Sequence, residues 1–235
     1  NLNSIKKFLK KEKPSSVLHL AGLSRPMVQH EKNISNSINL NIIGTANLVN
    51  ICSELKIKLI YFSTGYVYPG KKGNYKEHDA LLPWNNYAWS KLGGECAVSM
   101  YKNSLILRIT MCEKPFLHKK AFYDIETNFM YHEDVVKIIP KILNKFGIIN
   151  VGGKTQSVYE FAKNSNKNVK KIKFLDDSDI NNVFNELFDS FLSEFFNHYI
   201  IRLGILDGAK GVTICYLNAL GVYERFRELK KLQSE

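Results

Sequence analysis

A tyrosine and a lysine stand four residues apart in Tyr87-Ala88-Trp89-Ser90-Lys91. On an α-helix such a pair projects from one face on successive turns, so a phenol and an ammonium can serve one reacting atom. A nearby cation stabilises phenolate and draws the tyrosine pKa down from about 10, toward the range of a general acid or base. The same spacing also suits a tyrosine and a lysine on the outer face of an amphipathic helix, so the surroundings must decide. Upstream, Leu59-Ile60-Tyr61-Phe62 runs into Ser63-Thr64-Gly65. A hydroxyl at the end of that strand, Thr64 or Ser63, could hold the oxygen of a substrate.

The elements that would position these groups follow from apolar spacing. Val17-Leu18-His19-Leu20-Ala21 lies between Pro14 and Gly22 and predicts a short buried strand. Residues 35–55 carry Ile38, Ile42, Ala46, Val49 and Leu55 at a helical period, and residues 59–63 predict a second strand. Residues 69–83 are rich in Gly, Lys and Asn and predict a long surface loop. A helix is expected over 86–100, strands over 104–109 and 148–151, and helices over 132–143 and 158–163. Strands alternating with helices are the pattern of βαβ units and a parallel sheet. In such sheets ligands bind at the carboxyl ends of the strands, here just after Leu20, Phe62 and Ile109.

Four segments in order, Val17-Leu18-His19-Leu20-Ala21-Gly22, Asn41-Ile42-Ile43-Gly44-Thr45, Phe62-Ser63-Thr64-Gly65-Tyr66-Val67-Tyr68 and the Tyr87–Lys91 stretch, resemble the extended short-chain dehydrogenases/reductases. That family includes nucleotide-sugar epimerases, dehydratases and reductases. Ser63 to Gly70 and Lys91-Leu92-Gly93-Gly94-Glu95 are most similar to its dTDP-4-dehydrorhamnose reductase branch, and the resemblance spans residues 1–163. It implies an α/β fold, a partial Rossmann-like doubly wound parallel sheet. It also implies hydride transfer at a sugar carbon with NAD or NADP as carrier, and a nucleotide-diphosphate sugar as substrate. By the same resemblance Tyr87 is the acid/base, Lys91 binds the nicotinamide ribose and lowers the tyrosine pKa, and Thr64 holds the reacting oxygen with Ser63 beside it. Ala21 and Gly22 let the cofactor lie close to the strand end. Asn41 is a structural polar anchor, and Arg108 stands near the sugar-nucleotide pocket. Members of the family open with a Gly-rich strand–turn–helix that holds the pyrophosphate on backbone amides. None precedes Val17, so the expectation is a domain short of on the order of 60 residues. Cofactor binding then depends on that segment being supplied, and the alternative is an inactive nucleotide-sugar binding or interaction module.

The chain has 235 residues with a formal net charge of +11. It is 45% hydrophobic and 12% aromatic, which excludes a disordered chain, and 14 Gly with 6 Pro exclude a collagen-like one. Residues 1–175 hold 27 Lys and Arg against 12 Asp and Glu, while residues 176–235 hold 6 against 10. A basic body thus precedes an acidic tail. The expected division is a dehydrogenase/epimerase-like domain over 1–173 and a helical tail over 174–235. The segment Gly204-Ile205-Leu206-Asp207-Gly208-Ala209-Lys210-Gly211 resembles the end of bacterial family-2 glycosyltransferases. Together the two resemblances suggest a fused gene from a surface-polysaccharide locus. Apolar faces over 183–196 and 212–232 could pack within the chain, form a homodimer or dock a partner protein. The lysines are scattered and not interleaved with aromatics, so no nucleic-acid partner is expected. Neither the cysteines nor the histidines have a metal-ligand spacing, and no metal is expected. No apolar run reaches the roughly 20 residues of a transmembrane segment, and no secretory signal is visible, so a cytoplasmic protein is expected.

Overall fold

In the computed structural model the chain divides into two compact units, Asn1–Lys171 and Ile172–Glu235, and the structure describes residues 2–174. The tail helices expected over 183–196 and 212–232, and the glycosyltransferase-like segment, lie outside the described residues.

Four parallel strands form the sheet of the first unit: β1 (Ser16–His19), β2 (Lys58–Ser63), β3 (Ser104–Ile109) and β4 (Gly147–Val151), in that spatial order. The fold is therefore a parallel α/β sheet of Rossmann type, as its sequence pattern implies. Helix α1 (Leu2–Glu12) leads into β1, followed by α2 (Val28–Lys32) and α3 (Ile34–Ser37). A π-helical stretch, Ile38–Ile43, runs into α4 (Gly44–Leu55). Helix α5 (Asn86–Ser99) joins β2 to β3, α6 (His132–Ile142) joins β3 to β4, and α7 (Val158–Lys163) follows. The register places Leu59 beside Ser104, Ser63 beside Arg108 and Arg108 beside Asn150, so three functional positions lie in one row at the carboxyl edge.

The central strands are apolar on both faces because both are covered. Leu59, Tyr61 and Ile106 pack with Val49, Cys52 and Val98 from α4 and α5. Ile60, Phe62, Leu105, Leu107 and Ile109 pack with Val135 of α6 and with Met130. Strand β1 is at the edge and less enclosed: Leu18 and Leu20 are 42% and 55% exposed. With Phe62, Met111, Val135, Val136 and Ile139 they line an open apolar groove of about 500 Å³.

The expected helix over 35–55 forms, but not in one phase. Through Ile38–Ile43 the bonding widens to five residues, with the Gly44 amide donating to the Asn39 carbonyl. Helix α2 and three short strand pairings (Met111–Cys112 with Met130–Tyr131, Lys120–Phe122 with Lys170–Ile172, Glu126–Thr127 with Gln156–Ser157) have no counterpart in the apolar spacing. They bring a second small core, Phe116, Tyr131, Phe161 and Val169, up against α7. Among the described residues no helix is long and apolar enough to cross a membrane.

Candidate active site

The ends of β2 and β3 and the first turns of α5 converge at the carboxyl edge of the sheet. Asn85 caps α5, its side chain accepting from the Ala88 amide at 2.8 Å. That cap fixes where the helix starts, with Tyr87 in its first turn and Lys91 one turn further on. Strand β2 ends at Ser63. Thr64 then caps a single 3₁₀ turn (Gly65–Val67), its hydroxyl accepting from the Tyr66 amide at 3.2 Å. Thr64 is 2% exposed, and its side chain stands near enough to the Tyr87 phenol to oppose the rise of the phenol's pKa. Tyr87 is flanked edge-on by His30 and Tyr66, with ring centroids 5.2 and 6.4 Å away. The expected hydroxyl and phenol therefore meet.

Charge at this site is arranged differently from the expectation. Burial raises the Tyr87 pKa; the Thr64 hydroxyl and the Arg25 guanidinium oppose that rise without overcoming it. The phenol is thus protonated near neutrality. Lys91 stands one turn further along the helix, its ammonium 4.2 Å from the centroid of the Tyr61 ring. Burial lowers its pKa to about 8, against the pull of Glu95. The cation that acts on Tyr87 is Arg25, which the helical spacing does not reveal.

Lys91 shares a dry corner with His19 at the end of β1. His19 is 7% exposed, its Nε2 is 2.9 Å from the Thr45 hydroxyl, and its ring centroid is 5.5 Å from that of Tyr61. Burial, aided by the Lys91 charge, lowers the His19 pKa to about 4. Tyr61 donates its hydroxyl to the Lys91 carbonyl, at 3.2 Å.

Asn41 is the anchor its position implies. Its side-chain oxygen accepts from the Leu23 amide at 2.7 Å, and its nitrogen donates to the Leu23 carbonyl and the Ser90 hydroxyl at 2.9 and 2.8 Å. The loop after β1 is thereby tied to α5. Ala21 and Gly22 open that loop and are exposed. A Cβ at Gly22 would stand 2.8 Å from the Asn41 oxygen, so only glycine leaves the clamp intact. These features suit the nicotinamide–ribose end of a dinucleotide: an open, small-residue strand end beside a nearly dehydrated lysine whose donors can meet hydroxyl oxygens. Lys91, Ala21 and Gly22 are the residues that would hold it. Among the described residues no group of His, Cys, Asp and Glu could hold a metal ion.

Arg108, expected near the sugar, directs its donors inward. Its side chain and that of Glu95 are each 3% exposed and paired at 2.8 Å. The Arg108 Nε also donates to both Glu95 oxygens, and Nη1 donates to the Tyr68 hydroxyl at 2.8 Å and the Glu77 carbonyl at 3.0 Å. The Ser63 hydroxyl donates to Glu95, and the Tyr68 hydroxyl to Asn150. Asn150 in turn holds the Tyr75 carbonyl and the Glu77 carboxylate, so part of the expected surface loop is stapled to the sheet edge. The role of Glu95 is missing from the sequence reading. Its signal is a carboxylate on the stripe Ala88, Lys91, Gly94, Val98, otherwise a buried helix face.

The model of the family described as the RmlD substrate binding domain matches residues 1–122, more than half of the chain. The chain belongs to this family. Thr64, Tyr87, Lys91, Glu95 and Arg108 all fall within the part matched as an RmlD substrate binding domain. Among curated relatives, methionine adenosyltransferase 2 subunit beta of Xenopus laevis is 32% identical over 95 residues, covering 40% of this chain and 28% of that protein. The probable low-salt glycan biosynthesis reductase Agl14 of Haloferax volcanii is 41% identical over 71 residues, covering 28% of this chain and 24% of that protein. These matches reach about a quarter of the length of the curated relatives. In fold, the chain is similar to the dTDP-4-dehydrorhamnose reductase of Bacillus anthracis, solved in complex with NADP. The TM-score is 0.64 at 24% identity, covering 74% of this chain and 71% of that one.

Proposed function

We propose that this chain carries the acid/base and sugar-binding part of an NAD(P)-dependent nucleotide-sugar oxidoreductase, acting on a 4-keto sugar or as an epimerase in surface-polysaccharide assembly. The observation that carries the reading is the protonated Tyr87 phenol within reach of the Thr64 hydroxyl at the carboxyl end of a parallel sheet. A nicotinamide cofactor would supply the hydride. Thr64 holds the sugar oxygen, and Tyr87 delivers a proton to it as negative charge develops there. A phenol whose pKa is raised stays protonated until that moment, which suits the reducing direction. Lys91 orients the ribose by hydrogen bonds. Arg108 and Glu95 act through Ser63, Tyr68 and the 75–77 loop as positioning residues.

The family membership, the NADP-bound fold relative and the reductase named among the curated relatives support this reading. Reduction of a dTDP-4-keto sugar followed by loss of NADPH absorbance tests it. Tyr87→Phe should lower turnover by about 10²–10⁴-fold, the usual contribution of a positioned acid/base. Turnover equal to that of the unaltered chain would refute the assignment.

A second reading is that the fold serves as an inactive nucleotide-sugar binding or interaction module, and the similarity to a protein named as a subunit, methionine adenosyltransferase 2 subunit beta, favours it. Nucleotide binding unchanged by Tyr87→Phe, with no NADPH consumed by the unaltered chain, would favour it.

A further inference from the structure

The loops that leave β1 and β3 are joined by an ion pair. Arg25 donates through Nη1 to both carboxylate oxygens of Glu113, at 3.0 and 2.8 Å. Arg25 stands six residues beyond the end of β1, and Glu113 four beyond the end of β3. Strand β2 lies between those two strands. Neighbouring strands are about 4.8 Å apart, so the two loop tops are separated by about 10 Å. The contact thus links the two loops whose strands flank β2, the strand that Thr64 follows. The charge of Arg25 is felt at the site: burial raises the pKa values of Tyr66, Tyr87 and Cys112, and Arg25 opposes each rise.

The pair is a poor brace. Its side chains are 48% and 42% exposed, and exposed pairs contribute about 0.2–1 kcal/mol. A contact so easily exchanged is suited to being replaced. Lys91 faces the Tyr61 ring, and the cation whose charge acts on the Tyr87 phenol is Arg25. Its planar guanidinium can match a carboxylate or a phosphate in fork geometry, whereas with Glu113 only Nη1 is engaged.

We propose that Arg25 receives an oxyanion of the nucleotide-sugar substrate, and that Glu113 is the internal carboxylate displaced from it. The inference rests on the nucleotide-sugar reading of the site and adds the group that is recognised at its mouth. Two oxyanions share this chemistry, a carboxylate on the sugar ring and the pyrophosphate.

Calorimetric titration of the full chain with UDP-glucuronate, UDP-glucose and UDP separates the sources. Arg25→Met should weaken the recognised ligands about 10- to 100-fold, the range for a lost hydrogen bond to a charged group. Weakening confined to UDP-glucuronate assigns the sugar carboxylate; equal weakening of all three assigns the pyrophosphate. Glu113→Gln removes the competitor on an exposed surface and should tighten the same ligands, by up to about 5-fold. Binding of every probe by Arg25→Met as tightly as by the unaltered chain overturns this inference and leaves the nucleotide-sugar reading standing. Ligands that bind Glu113→Gln no more tightly overturn the displacement. Failure of the unaltered chain to bind any of the three overturns the inference, while reduction of the dTDP-4-keto sugar tests the reading beneath it separately.

Discussion

Replacing Arg108 by methionine removes one partner of an ion pair whose side chains are each 3% exposed. Glu95 would keep the Ser63 hydroxyl but lose the guanidinium that meets both of its oxygens, while Tyr68 and the Glu77 carbonyl would each lose a donor. A buried charge left without its partner costs about 3–5 kcal/mol, a large share of the stability of a domain this size. The converse change, Glu95→Met, strands the guanidinium and should cost a similar amount. The two together should cost far less than their sum, because an apolar pair of similar volume needs no compensation. Urea unfolding of the four proteins, each extrapolated to zero denaturant, measures the three differences. Single variants within about 1 kcal/mol of the original, the cost of an exposed pair, would refute the reasoning. So would a double variant whose loss equals the sum of the singles.

Acid should destabilise the fold through His19, whose pKa falls from 6.5 to about 4 on folding. The unfolded chain takes up a proton first, so stability is complete above pH 6.5 and is lost as the pH falls toward 4, by about 3 kcal/mol in all. A His19→Phe chain should lack that part of the pH slope in urea midpoints measured across the window, and an unchanged slope would show that other groups carry it. Gly94→Ala should destabilise by about 1–3 kcal/mol in the same assay, since a Cβ there would collide with the Tyr61 hydroxyl and stand 2.9 Å from the Asn41 carbonyl. A Gly94→Ala chain as stable as the original would mean that α5 can move away without loss.

Much of this architecture is legible from residue types. The apolar run ending in Phe62 and the Leu105–Ile109 run are strands because both of their faces are covered, and such strands need no alternation. Tyr87 and Lys91 could be placed on a helix from spacing alone. Spacing shows a shared face, but it does not say which neighbour a charge meets, and here Lys91 meets Tyr61 while Arg25 reaches Tyr87. Glu95 and Arg108 each interrupt a buried stripe, a legible sign of a partner; which partner is a matter of register between α5 and β3. The π-helical stretch has no signature in hydropathy. Its extra residue per turn lies where Asn41 reaches the loop after β1 and α5 at once. The glycines at 93 and 94 form a crossing point, where Ile42 and Asn41 approach the α5 backbone.

The edge position of β1 divides the site into two regimes of local opening. Among the described residues strand β1 pairs with β2 alone and Leu18 and Leu20 line an open groove, whereas β2 is flanked on both sides and its core residues are sealed. Segments with few buried contacts open at a small fraction of the global unfolding free energy, and enclosed central strands open only with the whole domain. Ala21 and Gly22 therefore belong to the part of the molecule that fluctuates first, and Thr64, Tyr87 and Lys91 to the part that fluctuates last. A ligand bridging both would gain its affinity partly by quieting β1, and any neighbour that paired with that edge would do part of the same ordering in advance.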